Sequence, residues 1–149
     1  MMKNPRVVGV KNSSMPTMDI LKFLQTLGED KVVFNGPDEQ LLSGLAIGAQ
    51  GGIGGTYGVM PELILAIYKA FHAGDMQRAQ GIQGDVLQII FALCACKGSM
   101  YACIKEILKR KHGIDIGSVR APMAGLFAED EEKVVYAMNL INTAEAKWL

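Results

Sequence analysis

Lys11 directly follows a short apolar run, Val7-Val8-Gly9-Val10. A lysine at the C-terminal end of a parallel strand stands where α/β proteins hold their ligands. Among apolar side chains it would lose hydration and its pKa would fall. The free amine could then attack a carbonyl and form a Schiff base. On spacing alone, a solvated lysine at a strand end fits as well. Asp38 and Glu39 follow the turn Phe34-Asn35-Gly36-Pro37. Paired carboxylates there could accept hydrogen bonds from a polyol. They would also suit the first turn of a helix. The segment Gly51-Gly52-Ile53-Gly54-Gly55-Thr56-Tyr57 is neither a phosphate-binding loop nor a dinucleotide fingerprint. No Gly-Lys-Ser/Thr follows it, and Tyr57 stands where the fingerprint requires glycine. Its glycines would still let a ligand approach the backbone closely.

These residues need strands to carry them. Arg6 to Lys11 and Lys31 to Phe34 are short, continuous apolar runs, which suit strands covered on both faces. Gly51 to Val59 is a weaker strand candidate because of its glycines. A helical pattern follows each run. Pro16 and Asp19 fit a first turn, Ile20, Phe23, Leu24 and Leu27 share one face, and Gly28 fits the stop. Leu41 to Ile47 gives a second helix, and Pro61 opens a third that runs to Gly74. Strand and helix in alternation predict a parallel sheet. From Asp75 onward only helices are expected. Val86 to Cys96 is apolar nearly all round and should be buried on most sides. Met100 to His112 is amphipathic and ends in Lys109-Arg110-Lys111-His112 before Gly113, as the helix dipole favours. Glu129 to Glu132 should open the last helix.

Composition narrows the function. The chain has 149 residues, enough for one domain or part of a larger one. Half are apolar, and fifteen basic residues balance fifteen acidic ones, which argues against disorder and against nucleic acid or anionic lipid as a partner. The uncharged stretch from Gln40 to Pro61 is too rich in glycine and polar residues for a membrane helix. The opening residues, MMKNPR, lack the apolar core of a signal peptide, which predicts a cytoplasmic protein. Cys94, Cys96 and Cys103 form no disulfide framework, and positions 94 and 96 would not face each other on a helix. Buried, reduced thiols are expected, with no metal site.

Taken together, Val-Val-Gly-Val-Lys-Asn-Ser-Ser (7–14), Phe-Asn-Gly-Pro-Asp-Glu (34–39) and Gly-Gly-Ile-Gly-Gly-Thr-Tyr (51–57) resemble the N-acetylneuraminate lyase and dihydrodipicolinate synthase family in order and spacing. Gly74-Asp75 with Ala79 and Gln83, and Arg120-Ala121-Pro122, resemble its C-terminal helical region. The resemblance implies an α/β fold: a partial (β/α)8 TIM barrel, made of the last three βα units and followed by a C-terminal helical extension. Residues 1–149 would form one half-barrel piece, with the βα units in 1–74 and the helices in 75–149.

The resemblance also implies a class I aldolase that cleaves N-acetylneuraminate to N-acetylmannosamine and pyruvate, with no cofactor and no metal. Lys11 would form the Schiff base with pyruvate. Ser13 would lie near the substrate, Gly36, Asp38 and Glu39 would hold the glycerol-like tail, and Gly54 would lie beside the pyruvate carboxylate. Many lyases carry a sugar-binding serine where this chain has Gly55. The carboxylate-binding Gly-Thr-[Thr/Ser]-Gly-Glu segment and the proton-relay tyrosine of the family are not found in these residues. The chain is therefore expected to be inactive alone. The rival readings are a non-catalytic, self-associating half-barrel and another 2-oxo-acid aldolase or dehydratase of the same family. The expected partners are a small molecule, pyruvate or sialic acid, and a second copy of the chain, with no nucleic acid and no membrane.

Overall fold

A computed structural model describes residues 4–149. The first three residues of the MMKNPR segment lie outside the described residues. By internal packing the chain forms two compact units. One comprises the residues through Gly54 with Ile67–Gln83, the other Gly55–Ala66 with Gly84–Leu149.

The first unit holds a parallel sheet of β1 (Gly9–Asn12), β2 (Val32–Asn35) and β3 (Gly51–Gly52), in that spatial order. The first strand starts later than the apolar run predicts. Arg6 N–H donates to Asn4 Oδ1 at 2.9 Å and Val7 N–H to Asn4 O at 3.0 Å, so the chain is still turning there. The third strand is only two residues long, and Thr56–Val59 forms a single 3-10 turn instead. Glycine supplies no side chain to hold a longer ladder.

Helices α1 (Met18–Thr26) and α2 (Leu41–Ala46) join the strands. Register sorts the side chains. Val10 pairs with Val33 and Asn12 with Asn35, so these four share one face. That face is covered: Ile20, Leu27, Val33 and Ala49 form a core with Val10, Phe23, Leu24 and Ile47 packed against it. Lys11 pairs with Phe34 on the opposite face, where Lys11 is exposed and Phe34 half-buried. Gly9 is required where β1 meets β2, because a Cβ there would stand 2.3 Å from the Val32 carbonyl oxygen.

Helices α3 (Pro61–His72) and α4 (Met76–Cys94) each begin in one unit and end in the other. Over its second half α4 buries Val86, Ile89, Ile90 and Leu93, one helical stripe, while Phe91 is 58% exposed and Cys94 is exposed too. The expectation of a helix buried on most sides fails because Phe91 and Cys94, on the opposite face, are exposed. Cys96 and Cys103 are buried as expected, Cys94 is not, and none of the three is in a disulfide. Burial pushes the Cys96 and Cys103 thiols up.

In the second unit, α5 (Met100–His112) is capped by Ser99, whose Oγ accepts from Tyr101 N–H at 3.2 Å. It ends at Gly113, at φ +69°, where a side chain would be strained. Three residues of its basic last turn are held by acids: Lys109 by Asp115 at 2.9 Å, Arg110 by Glu106 and Glu131 at 2.6 Å each, and Lys111 by Glu145. Helix α6 (Glu131–Trp148) buries Val134, Ala137, Ile141 and Ala144, one stripe of small and branched residues. Asp130, fully buried, precedes it. Its carboxylate accepts from the backbone N–H of Lys97 at 2.6 Å, Gly98 at 3.0 Å and Phe127 at 3.1 Å, and so ties the α4–α5 turn to the start of α6.

Burial would push the Asp130 carboxyl up, but those three N–H donors outweigh it and hold it down at about 2. An unfolded aspartate titrates near ~3.9. Ionised Asp130 therefore stabilises the fold fully above that value, and the contribution is lost as pH falls towards about 2. Denaturant unfolding of the wild type should show stability falling across this window, and Asp130→Asn should be less stable at neutral pH with a flatter acid profile. Superimposable acid profiles would contradict this role.

Candidate active site

The first unit gathers most of the candidate residues at the C-terminal ends of its strands. Lys11 sits on the uncovered face of β1, level with Phe34 of β2. Phe34 in turn pairs with Gly51 of β3, and a Cβ at Gly51 would touch its ring at 3.4 Å. The absent side chain at position 51 thus makes room for the ring. The result is an ammonium on an open sheet face with an aromatic ring on the neighbouring strand. Lys11 is exposed, so the desolvation expected from the apolar run before it is not found. The reason is register: Val10 packs against the core, and Lys11 points to the opposite face.

Beyond β1 the chain turns through Ser13 and Ser14. Ser14 N–H lies 3.4 Å from Asn12 Oδ1, while Ser14 Oγ lies 2.7 Å from Asp19 Oδ2 at the start of α1. The Ser14 hydroxyl, more than the Lys22 ammonium, holds the Asp19 carboxyl below its usual range. Ser13 itself is exposed. It lies directly against Gly36: a Cβ at Gly36 would meet Ser13 Oγ at 2.4 Å and Asn12 O at 2.6 Å. Gly36 N–H donates to that same Asn12 carbonyl at 2.8 Å. The structure therefore brings Ser13 and Gly36 together on two adjoining turns, with Lys11 near the end of the strand that leads into the first.

Asp38 and Glu39 lie in a 3-10 turn, Asp38–Gln40, before α2. They do not behave as a matched pair, for Asp38 is buried and Glu39 is exposed. Two glutamines fix this turn. Gln40 Nε2 reaches Ser14 O at 3.4 Å, and Gln83 donates to Asp38 O at 3.2 Å while accepting from Leu42 N–H at 3.0 Å. Gly54 is half-buried just after β3, where Ile53 N–H donates to Asn35 O at 2.9 Å. Gly55 belongs to the second unit and is exposed. Above it, the Tyr101 hydroxyl lies 2.8 Å from the point where a Cβ would stand. Among the described residues no group of His, Cys, Asp and Glu is placed to hold a metal ion.

Sequence reasoning gave no site role to Asn12, Asn35, Gln40, Gln83 or Tyr101. The asparagines end their strands side by side, a relation visible only once the register is known.

Residues 1–141 match the dihydrodipicolinate synthetase family. The chain belongs to that family. Over all 149 residues it is 50% identical to the N-acetylneuraminate lyase of Mediterraneibacter gnavus, covering 47% of that protein. It aligns with the C-terminal half. It is 34% identical over 132 residues to the 4-hydroxy-tetrahydrodipicolinate synthase of Listeria welshimeri, which is 89% of this chain and 44% of that one. Among solved structures, a catalytic lysine mutant of the Ruminococcus gnavus sialic acid aldolase superposes with a TM-score of 0.97 at 50% identity, over 100% of this chain and 49% of that one. The chain thus spans about half the length of the curated relatives it matches. The expected architecture holds: three parallel βα units of a (β/α)8 barrel followed by helices.

The Gly36 contact is testable. Gly36→Ala forces a methyl group against a backbone carbonyl, a clash that costs about 1–3 kcal/mol. Gly58→Ala is the control, since nothing lies within 4 Å of that position. Chemical denaturation should show a clear loss for Gly36→Ala and little change for Gly58→Ala. Equal stability of the two variants would show that the turns separate freely.

Proposed function

We propose that this chain supplies the Schiff-base lysine and part of the substrate pocket of a class I aldolase that cleaves N-acetylneuraminate to N-acetylmannosamine and pyruvate when its barrel is complete. The observation that carries this reading is Lys11. It stands at the C-terminal end of a parallel strand, on the open face of the sheet, in a chain half identical to a sialic acid aldolase with a catalytic lysine.

The chemistry follows from an amine. Lys11 Nζ adds to the ketone carbon of the open-chain sugar acid, and water leaves as the iminium forms. The carbon–carbon bond one position removed then breaks. Its electron pair flows into the iminium to give an enamine, and the hydroxyl proton beside the departing carbon leaves as the aldehyde forms. Protonation of the enamine and hydrolysis release pyruvate and the free lysine. In this reading Ser13 lies beside the reacting carbons, and Gly54 leaves room for the pyruvate carboxylate. Gly36 lets the two turns close, and Asp38 and Glu39 accept hydrogen bonds from the hydroxylated tail. At Gly55 the serine hydroxyl of many lyases is absent, which bears on sugar preference. The protein would work in the cytoplasm, and no helix among the described residues is long and apolar enough to cross a membrane.

Similarity to a 4-hydroxy-tetrahydrodipicolinate synthase favours a second reading, a related 2-oxo-acid aldolase or dehydratase, which a panel of aldehydes offered with pyruvate would separate.

Borohydride added to the chain with pyruvate should fix a reduced adduct on the peptide containing Lys11, and Lys11→Arg should abolish it. Label on other lysines but not on this peptide would refute the assignment. The same 149 residues alone should cleave N-acetylneuraminate poorly, because a missing acid–base group typically costs about 10²–10⁴-fold. Turnover by the pure chain at the rate of an intact lyase would sink that expectation.

The open sheet also bears on association. Val8 is 68% exposed and Ile53 48%, both at the ends of strands. Exposed strand edges and apolar faces recruit other chains. Sedimentation across a dilution series should therefore find a homo-oligomer. A folded monomer at micromolar concentration would rule it out.

A further inference from the structure

Asn12 and Asn35 are the last residues of β1 and β2, and they stand opposite each other in register. Both side chains lie on the covered face, with Asn12 7% exposed and Asn35 wholly buried. Each amide has one end committed. Asn12 Oδ1 lies within reach of the Ser14 N–H and of Ser14 Oγ, at 3.4 and 3.0 Å. Asn35 Nδ2 donates to Pro37 O at 2.7 Å. The other ends, Asn12 Nδ2 and Asn35 Oδ1, are buried without a hydrogen-bond partner. One is a donor and the other an acceptor. A buried amide group without a partner has lost its hydration with nothing in return, so two of complementary type on neighbouring strands call for an explanation.

We infer that Asn12 and Asn35 form a two-rung asparagine ladder that couples the Lys11 turn to the Asp38–Glu39 turn, and that both are positioning residues for Lys11. Parallel strands lie about 4.8 Å apart, a separation that stacked asparagine amides bridge by donating from one rung to the next. A hydrogen bond from Asn12 Nδ2 to Asn35 Oδ1 would satisfy both orphaned ends. Its committed ends are the reason it matters. The Asn12 amide holds Ser14, and through Ser14 the start of α1. The Asn35 amide holds Pro37, directly before Asp38. Gly44 of α2 leaves the room this amide occupies, since a Cβ there would meet Asn35 Oδ1 at 2.5 Å and Asn35 Cγ at 2.7 Å. Lys11 is the residue before Asn12, and its backbone takes its direction from this rung. The ladder thus sets the angle at which the amine meets a carbonyl, without touching substrate. This inference rests on the Schiff-base reading of Lys11.

The test uses the whole chain, with pyruvate as the probe. Asn12→Ala, Asn35→Ala and the double variant are compared with wild type at a temperature where circular dichroism shows all four folded. Two rates are read at Lys11 by peptide mass spectrometry. One is borohydride-trapped imine formation, which needs the amine aimed at a ketone. The other is carbamylation by cyanate, a small reagent that needs only an exposed amine. Each single variant should slow imine trapping about tenfold and leave carbamylation unchanged. The double variant should be no slower than either single one, because both break the same bond. Imine rates equal to wild type would overturn the inference. So would a double variant slowed by the product of the two single effects, or a parallel fall in carbamylation, which marks general loosening. Absence of any adduct at Lys11 in the wild type is a separate outcome: it would remove the Schiff-base reading and this inference with it.

Discussion

The backbones of β1 and β2 meet at two glycines, and the rest of the first unit depends on that approach. A Cβ at Gly9 would collide with the Val32 carbonyl at one end of the pair, and a Cβ at Gly36 with the Asn12 carbonyl at the other. Between these points the register is fixed. It decides that Val10 and Val33 enter the core beneath α1 and that Lys11 and Phe34 do not. A slip by one residue would bury the ammonium and expose the valines, so the apolar face enforces the position of the lysine. Packing and chemistry are here the same constraint seen from the two sides of one sheet.

Much of this was legible in the sequence. The continuous valine runs gave the parallel strands, the spacing of Ile20, Phe23, Leu24 and Leu27 gave α1, and Met100 to His112 gave α5 to the residue. Lys11 and the Asp38–Glu39 pair were singled out by residue type and strand-end position, and Gly36 by the family resemblance. What was not legible depends on pairing across distance. Nothing local says that Asn12 lies beside Asn35, that Gln83 of α4 holds the turn before α2, or that Ser13 packs on Gly36. Of the two readings open for Lys11, buried among apolar side chains or solvated, the structure shows the solvated one, because an apolar run along a strand does not reveal which of its residues points to the open side.

In the second unit, charge is used locally. On sequence alone the basic end of α5 answers to the helix dipole. In the structure Lys109, Arg110 and Lys111 are each spent on a nearby acid, and Arg110 and Lys111 link α5 to α6. At the C-terminus, Lys147 and the Trp148 indole both donate to Asp85 Oδ2, at 2.9 and 2.6 Å, and so fasten the last turn of α6 to α4. Asp130 does the same at the other end of α6 using backbone donors alone. One carboxylate therefore anchors each end of the last helix.

The phenol poised over Gly55 carries a consequence for how such sequences can diverge. Its oxygen stands 2.8 Å from where any side chain at position 55 would begin. A relative with serine at that place cannot keep a tyrosine in this orientation at the counterpart of position 101. The two positions are some forty-five residues apart in the chain yet compete for one volume. They should behave in an alignment as a linked pair, a small residue at one accompanying a long one at the other. A hydroxyl supplied from position 55 would displace the one that α5 now holds over this turn.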